Sequence, residues 1–130
     1  MNPTTRTLSL QGQAGHIEAL LDEPAEGAVQ GTAVIAHPHP LFGGTMQNKV
    51  VQTLARAFVQ SGWRAVRFNF RGVGASEGTY DEGRGEAIDM QQVITQVATT
   101  GPLALAGFSF GAFVTSHVVQ ALGHQRPPHQ

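Results

Sequence analysis

The pattern of apolar and polar positions predicts a β-hairpin followed by three strand–helix units. Two short β-compatible runs, at residues 6–10 and 16–21, are separated by Gly12 and Gly15, which indicates a hairpin. The next stretch, residues 22–31, is rich in Pro, Glu and Gly and is typical of a surface loop. From residue 32 onward, strand and helix patterns alternate regularly.

Apolar runs and helical spacing alternate three times in the rest of the chain. A continuous apolar run such as residues 32–36 is typical of a strand that is covered on both faces. The pattern predicts strands at residues 32–36, 64–70 and 103–106, and helices at residues 46–60, 85–98 and 109–122. This alternation predicts an α/β fold of three layers, with a mostly parallel sheet and helices on both faces.

Composition narrows the class of protein. The chain has 130 residues, a formal net charge of -1 and no cysteine. We therefore expect one domain over residues 1–122 with a polar, proline-rich tail at 123–130, and no disulfide or thiolate chemistry. Neither nucleic acid nor a membrane is an expected partner, because there is no basic patch, no long apolar run and no signal-peptide pattern. A cytoplasmic location is the expectation.

The segment Gly107-Phe108-Ser109-Phe110-Gly111 joins the third predicted strand to the third predicted helix. Gly-x-Ser-x-Gly in that setting predicts a nucleophile elbow, with Ser109 as the catalytic nucleophile. Gly107 and Gly111 lie where a side chain would crowd the turn, and the backbone N–H of Phe110 is placed to stabilise an oxyanion. The alternative is an ordinary glycine-bounded turn in which Ser109 caps the helix.

The loop after the first central strand reads His37-Pro38-His39-Pro40-Leu41-Phe42-Gly43-Gly44. In this architecture such a loop donates the second oxyanion N–H. Two histidines at this spacing also raise the possibility of a metal site, but a third ligand is not evident nearby in the sequence. Loop hydrogen bonding and packing are the favoured roles of His37 and His39, and no metal or cofactor is predicted.

A second glycine-rich loop, Gly72-Val73-Gly74-Ala75-Ser76, follows the second predicted central strand. A dinucleotide-binding loop is disfavoured because Glu77 stands where the third glycine belongs and the helix begins later. Arg71 is either solvated or paired with a nearby carboxylate, the candidates being Asp81, Glu82 and Glu86. Four aromatic residues suggest an apolar rim or an aromatic core, namely Phe42, Tyr80, Phe108 and Phe110.

Three blocks of the sequence together resemble one family. The runs AHPHPLFGGTMQNKVV, VRFNFRGVGASEGTYDEGRGE and LAGFSFGA are similar to the small bacterial α/β-hydrolases related to dienelactone hydrolase, and the likeness extends over about residues 8–119. The resemblance implies a serine hydrolase acting on an ester or related acyl bond of a small molecule. It also implies that the backbone N–H groups of Leu41 and Phe110 form the oxyanion hole. In the family, further strands after the elbow carry the triad acid and histidine.

The sequence after Ser109 departs from that pattern. The triad order in this fold is Ser, then Asp or Glu, then His, yet residues 110–130 contain no Asp or Glu. His117 shares a helix face with apolar residues and is expected to be packed or partly buried, while His124 and His129 lie toward the far end of the helix or beyond it. The alternative prediction is therefore a truncated, catalytically inactive homologue. Its last strand would form an exposed edge through which copies could self-associate.

Overall fold

A single mixed sheet lies between helices on its two faces in the computed structural model, which describes the backbone of residues 5–125 and the side chains of residues 5–123. The secondary-structure elements in chain order are β1 (Arg6–Gly12), β2 (Gly15–Asp22), β3 (Thr32–Ala36), a 3-10 turn (Pro40–Phe42), α1 (Lys49–Gln60), β4 (Arg64–Phe68), α2 (Arg84–Val97), β5 (Leu103–Gly107) and α3 (Phe110–Gln125).

The strand order in the described sheet is β1-β2-β4-β3-β5. The hairpin β1–β2 joins β4 in antiparallel fashion, whereas β3 pairs in parallel with both β4 and β5. In this register Val34 lies opposite both Val66 and Leu105. The predicted α/β class and the parallel centre are confirmed, and the antiparallel hairpin makes the sheet mixed.

Two apolar layers hold the helices on the sheet. Helix α1 covers one face, where Val51 and Ala55 pack on Ile35 and Ala65. Helices α2 and α3 cover the other face over a larger cluster that includes Val34, Ala36, Val66, Phe68, Phe70, Met90, Val93, Val114 and Val118. Because neighbouring residues of β3 point to opposite layers, all five of its residues are buried.

The start of α1 and the end of α3 each differ by three residues from the sequence prediction. Helix α1 begins at Lys49 and not at residue 46, because the Asn48 side chain caps it by accepting the N–H groups of Val50 and Val51. Met46 is buried before the cap, where its N–H donates to Asn69. Helix α3 continues to Gln125, so it includes the start of the predicted tail. Residues 126–130 of that tail lie outside the described residues.

Arg71 is buried and forms an ion pair with Asp89, which corrects the expected pairing with Asp81, Glu82 or Glu86. Its Nη2 lies 2.8 Å from Asp89 Oδ1, and its backbone N–H donates to Oδ2 at 3.0 Å. The side-chain bond to Asp89 raises the pKa of Arg71, against the opposing effect of desolvation.

Glu86 is nearer to Arg71 in the sequence than Asp89 is, but its carboxylate is already used at the start of α2. It accepts the N–H groups of Asp81 and Gly83 and so caps the helix. The guanidinium of Arg71 instead passes Gly85, where a Cβ would lie 2.3 Å from its Cζ, and reaches Asp89 one turn further along. The fit therefore depends on a glycine in the first turn of α2.

Strand β5 forms one edge of the described sheet, and its five residues are all only partly buried. On the adjoining helix α3, Phe113 and Val119 are each 52% exposed. Self-association through this edge stays a prediction. Among the described residues, no helix is both long and apolar enough to cross a bilayer.

We expect Arg71→Ala to lower the free energy of unfolding by about 3–5 kcal/mol, because the carboxylate of Asp89, which is 1% exposed, would remain buried without its partner. Arg6→Ala is the matched control. It breaks an ion pair with Glu23 at a side chain that is 65% exposed, and we expect a cost below about 1 kcal/mol. Urea unfolding of both variants measures the difference. Equal losses would show that the Arg71 pair is not a structural element.

Candidate functional site

The turn between β5 and α3 holds Ser109 in a left-handed backbone conformation. Its φ is 58°, and Glu82 is the other described non-glycine residue with positive φ. Such a conformation is unfavourable for an L-residue and persists only where the surroundings enforce it. Ser109 is exposed at the apex of the turn. A strained, exposed serine between a strand and a helix is the geometry of a nucleophile elbow.

Two glycines enforce this turn by allowing close backbone approach. A Cβ on Gly107 would lie 2.4 Å from the carbonyl oxygen of Gly111. A Cβ on Gly111 would lie 2.4 Å from the carbonyl oxygen of Ala36 and 2.6 Å from that of His37. The first glycine closes the turn on itself, and the second packs the start of α3 against the end of β3.

The first N–H groups of α3 differ in their partners. The N–H of Gly111 donates to the carbonyl of Phe108, and that of Ala112 donates to the carbonyl of Ser109. Within residues 5–125, the Phe110 N–H has no acceptor, and the Ser109 hydroxyl caps no helix N–H. The geometry therefore favours the elbow over the helix-capping alternative, and it leaves a free donor beside the serine at the positive end of α3.

The loop after β3 forms the 3-10 turn Pro40–Phe42 beside the elbow. The N–H of Leu41 donates to Nδ1 of His39 at 3.2 Å, so the second predicted oxyanion donor is engaged by the turn's own cap. Gly44 closes the loop, since a Cβ there would lie 2.1 Å from the carbonyl oxygen of Pro38. Leu41 and Phe42 project outward and are 65% and 86% exposed.

His37 is fully buried and ties two loops together. Its Nδ1 lies 2.7 Å from the carbonyl oxygen of Pro38, and its Nε2 accepts the N–H of Phe70 at 3.1 Å. An Nε2 that accepts leaves the proton on Nδ1, so Nδ1 is the donor to Pro38. Desolvation by burial lowers the pKa of His37 to about 4, and the bond to Pro38 opposes that shift. The ring is neutral and structural.

His39 lies at the centre of an aromatic cluster. Its ring centroid is 4.7 Å from that of Phe110, 4.9 Å from that of Phe42 and 5.0 Å from that of Tyr80. Its Nε2 lies 3.1 Å from the hydroxyl of Tyr80. Three of the four aromatic residues considered for an apolar rim therefore meet here. Because the nitrogens of both His37 and His39 bind protein groups, the loop roles predicted for these residues fit the geometry.

Other histidines contribute nothing to the elbow in the described structure. His117 was expected to be packed or partly buried; its ring packs on that of Phe113, with the centroids 4.6 Å apart, but the residue is exposed. It lines a cavity of about 320 Å³ between α2 and α3, together with Glu82 and Phe113. The side chain of His124 and the whole of His129 lie outside the described residues.

The glycine-rich loop after β4 is packed against protein groups. Gly72 and Gly74 have positive φ, and a Cβ on Gly74 would lie 2.6 Å from both Asn69 Nδ2 and Glu18 Oε1. The N–H of Gly72 donates to the carbonyl of Ser76. These contacts agree with a turn and not with a phosphate-binding loop. No group of three or more His, Cys, Asp or Glu suited to a metal ion occurs in the part of the chain that the structure describes.

Comparison with known proteins identifies the architecture. Residues 16–128 match the model of the X-Pro dipeptidyl-peptidase (S15) family. An α/β serine hydrolase homologue from Coxiella burnetii is 40% identical, with a TM-score of 0.84 over 98% of this chain and 61% of that one. XC6422 from Xanthomonas campestris, an α/β serine hydrolase without a lid, is 39% identical, with a TM-score of 0.84 over 94% of this chain and 58% of that one.

A protein of Rickettsia prowazekii is 41% identical over 91 residues, which are 67% of this chain and 38% of that protein. This chain thus spans about three fifths of the length of the two solved homologues and less of the Rickettsia protein.

We expect Gly111→Ala to lower the free energy of unfolding by about 1–3 kcal/mol, because the added methyl would overlap the carbonyl of Ala36. Gly123→Ala, also in α3, is the matched control. Its Cβ would meet nothing within 4 Å, so we expect a gain of up to about 1 kcal/mol from helix propensity. Urea unfolding compares the two. A Gly111→Ala variant as stable as the control would contradict the close approach of α3 to β3.

The lowered pKa of His37 makes its contribution to stability dependent on pH. Between its ordinary value of 6.5 and its folded value of about 4, the unfolded chain binds the extra proton, so stability falls as the pH drops through that window. We expect the cost of His37→Gln to be largest at neutral pH and to shrink by roughly 3 kcal/mol at pH 4. Urea unfolding of both proteins across this range measures it. Parallel stability curves would exclude a buried, neutral His37.

Proposed function

Because the chain belongs to the S15 family of α/β serine hydrolases, we propose that it hydrolyses an ester or related acyl bond of a small molecule with Ser109 as nucleophile. A single observation carries this proposal. Ser109 is exposed and strained at the elbow, and the N–H of Phe110 beside it is unpaired among the described residues. The nearer kinship to dienelactone hydrolases and the cytoplasmic location stay predictions.

The chemistry follows from this geometry. The oxygen of Ser109 attacks the acyl carbonyl carbon, and the carbonyl π electrons move to the oxygen to give an oxyanion. In this proposal the N–H of Phe110, at the N-terminus of α3, stabilises that charge. When the oxyanion collapses, the bond to the leaving alkoxide breaks and the alkoxide takes up the proton that Ser109 gave to the base. The acyl group stays on Ser109 until water hydrolyses it to the free acid and restores the hydroxyl. Leu41 can become the second donor only by exchanging His39 for the oxyanion.

The step also needs a base to take the proton of Ser109. Neither histidine of the loop after β3 is available, because Nε2 of His37 accepts the Phe70 N–H and both nitrogens of His39 are engaged. No side chain among residues 5–123 hydrogen-bonds to the Ser109 hydroxyl. This observation favours the second candidate, a catalytically inactive homologue that keeps the elbow.

The two candidates differ in their reaction with a simple activated ester. If the chain is a hydrolase, we expect it to release p-nitrophenolate from p-nitrophenyl acetate at least about tenfold faster than Ser109→Ala. A fluorophosphonate probe should label Ser109, and peptide mass spectrometry locates the label.

Ser116→Ala is the matched control. Ser116 is an exposed serine of the same helix whose hydroxyl donates to the carbonyl of Phe113. The Ser116→Ala variant should release p-nitrophenolate at the wild-type rate. Equal rates for wild type and Ser109→Ala, with no label on Ser109, would reject the hydrolase and support the inactive homologue.

A further inference from the structure

His39 connects the three segments that surround the elbow. It belongs to the loop after β3, its ring packs on Phe110 at the start of α3, and its Nε2 lies 3.1 Å from the hydroxyl of Tyr80 in the loop before α2. Tyr80 is itself near the elbow, with its ring 5.9 Å from that of Phe110. A single imidazole thus fixes a phenol beside Phe110, the residue that follows Ser109 in the elbow.

The hydrogen bonds decide where the protons of this pair lie. Because Nδ1 of His39 accepts the N–H of Leu41, it carries no proton, and the neutral ring is protonated on Nε2. The bond between the two side chains then runs from Nε2–H to the phenolic oxygen of Tyr80. The Tyr80 hydroxyl keeps its own proton for another acceptor, and it donates to none among the described residues.

The surroundings keep Tyr80 in its protonated form. Partial burial and then the nearby carboxylates of Glu86 and Glu82 raise the pKa of Tyr80 above its ordinary value. The phenol is therefore a neutral hydrogen-bond donor at physiological pH. It is only partly buried, so a bound molecule can reach it.

We propose that Tyr80 donates a hydrogen bond to the acyl substrate at the elbow and that His39 is the positioning residue that orients it. This inference rests on the proposed function, because it assigns a substrate contact to the site of Ser109. It also names a property of the substrate, which must carry an oxygen or nitrogen acceptor on the side of the elbow that faces the loop before α2.

The test measures the Ser109-dependent release of p-nitrophenolate from p-nitrophenyl acetate, taken as the rate of each protein less that of its Ser109→Ala form. Tyr80→Phe keeps the ring and removes the hydroxyl. His39→Asn keeps a side-chain acceptor that can cap the Leu41 N–H but loses the bond to Tyr80. We expect each variant to lower the rate about three- to tenfold, and the double variant to lower it no further.

A spectroscopic readout accompanies the rates. In the wild-type protein, the ¹⁵N shifts of the His39 ring should show a protonated Nε2 and an unprotonated Nδ1, and the Nε2–H signal should move in Tyr80→Phe. His16→Gln, a histidine substitution in the hairpin β1–β2, is the control and should leave the rate unchanged.

The outcomes are separable. Wild-type rates in Tyr80→Phe and His39→Asn, or a His39 ring protonated on Nδ1, would overturn this inference while leaving the proposed function intact. Additive losses in the double variant would overturn the positioning role of His39. A wild-type rate equal to that of Ser109→Ala would overturn the proposed function and the substrate role of Tyr80 with it.

Discussion

The site depends on the junction that His37 makes at the end of β3. Its buried ring holds the loop after β4 through the Phe70 N–H and its own chain through Pro38, while its carbonyl oxygen lies against Gly111 at the start of α3. A buried imidazole that loses a partner leaves an unpaired polar group in the core, so the junction is constrained from several directions. The strained conformation of Ser109 persists on this support.

Two buried ion pairs lie in the loops and strands around this junction. Arg71 binds Asp89 behind the loop after β4, and Arg67 binds Asp22 with its Nη1 on the carbonyl of Met46. Buried ion pairs of this kind add little net stability over an apolar core but cost much when one partner is removed. Their effect here is to fix the loops after β3 and β4 in place, and these are the loops that bring His39 and Tyr80 to the elbow.

Much of this arrangement could be predicted from the chain alone. The apolar run at residues 32–36 coincides with β3, and the tight turn that the Gly-x-Ser-x-Gly spacing predicts lies between β5 and α3, because both follow from local sterics and periodicity. The partner of Arg71 could not be predicted, since Glu86 is nearer in sequence but is used to cap α2. The exposure of His117 was also missed, because helical spacing shows which residues share a face but not what covers that face.

The amino-acid sequence by itself determined the order of strands and helices, the glycines that the elbow needs and the absence of Asp and Glu after Ser109. The elements and the elbow turn could be predicted because they depend on neighbouring residues and on the backbone conformations that those residues allow. Only the tertiary structure decided which groups the ring nitrogens of His37 and His39 bind, that the Leu41 N–H is capped, and that Tyr80 lies beside the elbow. The bonds of His37 with Phe70 and of His39 with Tyr80 join residues 33 and 41 positions apart, whose meeting depends on how the whole sheet packs. The Leu41 cap joins residues two positions apart and depends on the 3-10 turn of its loop.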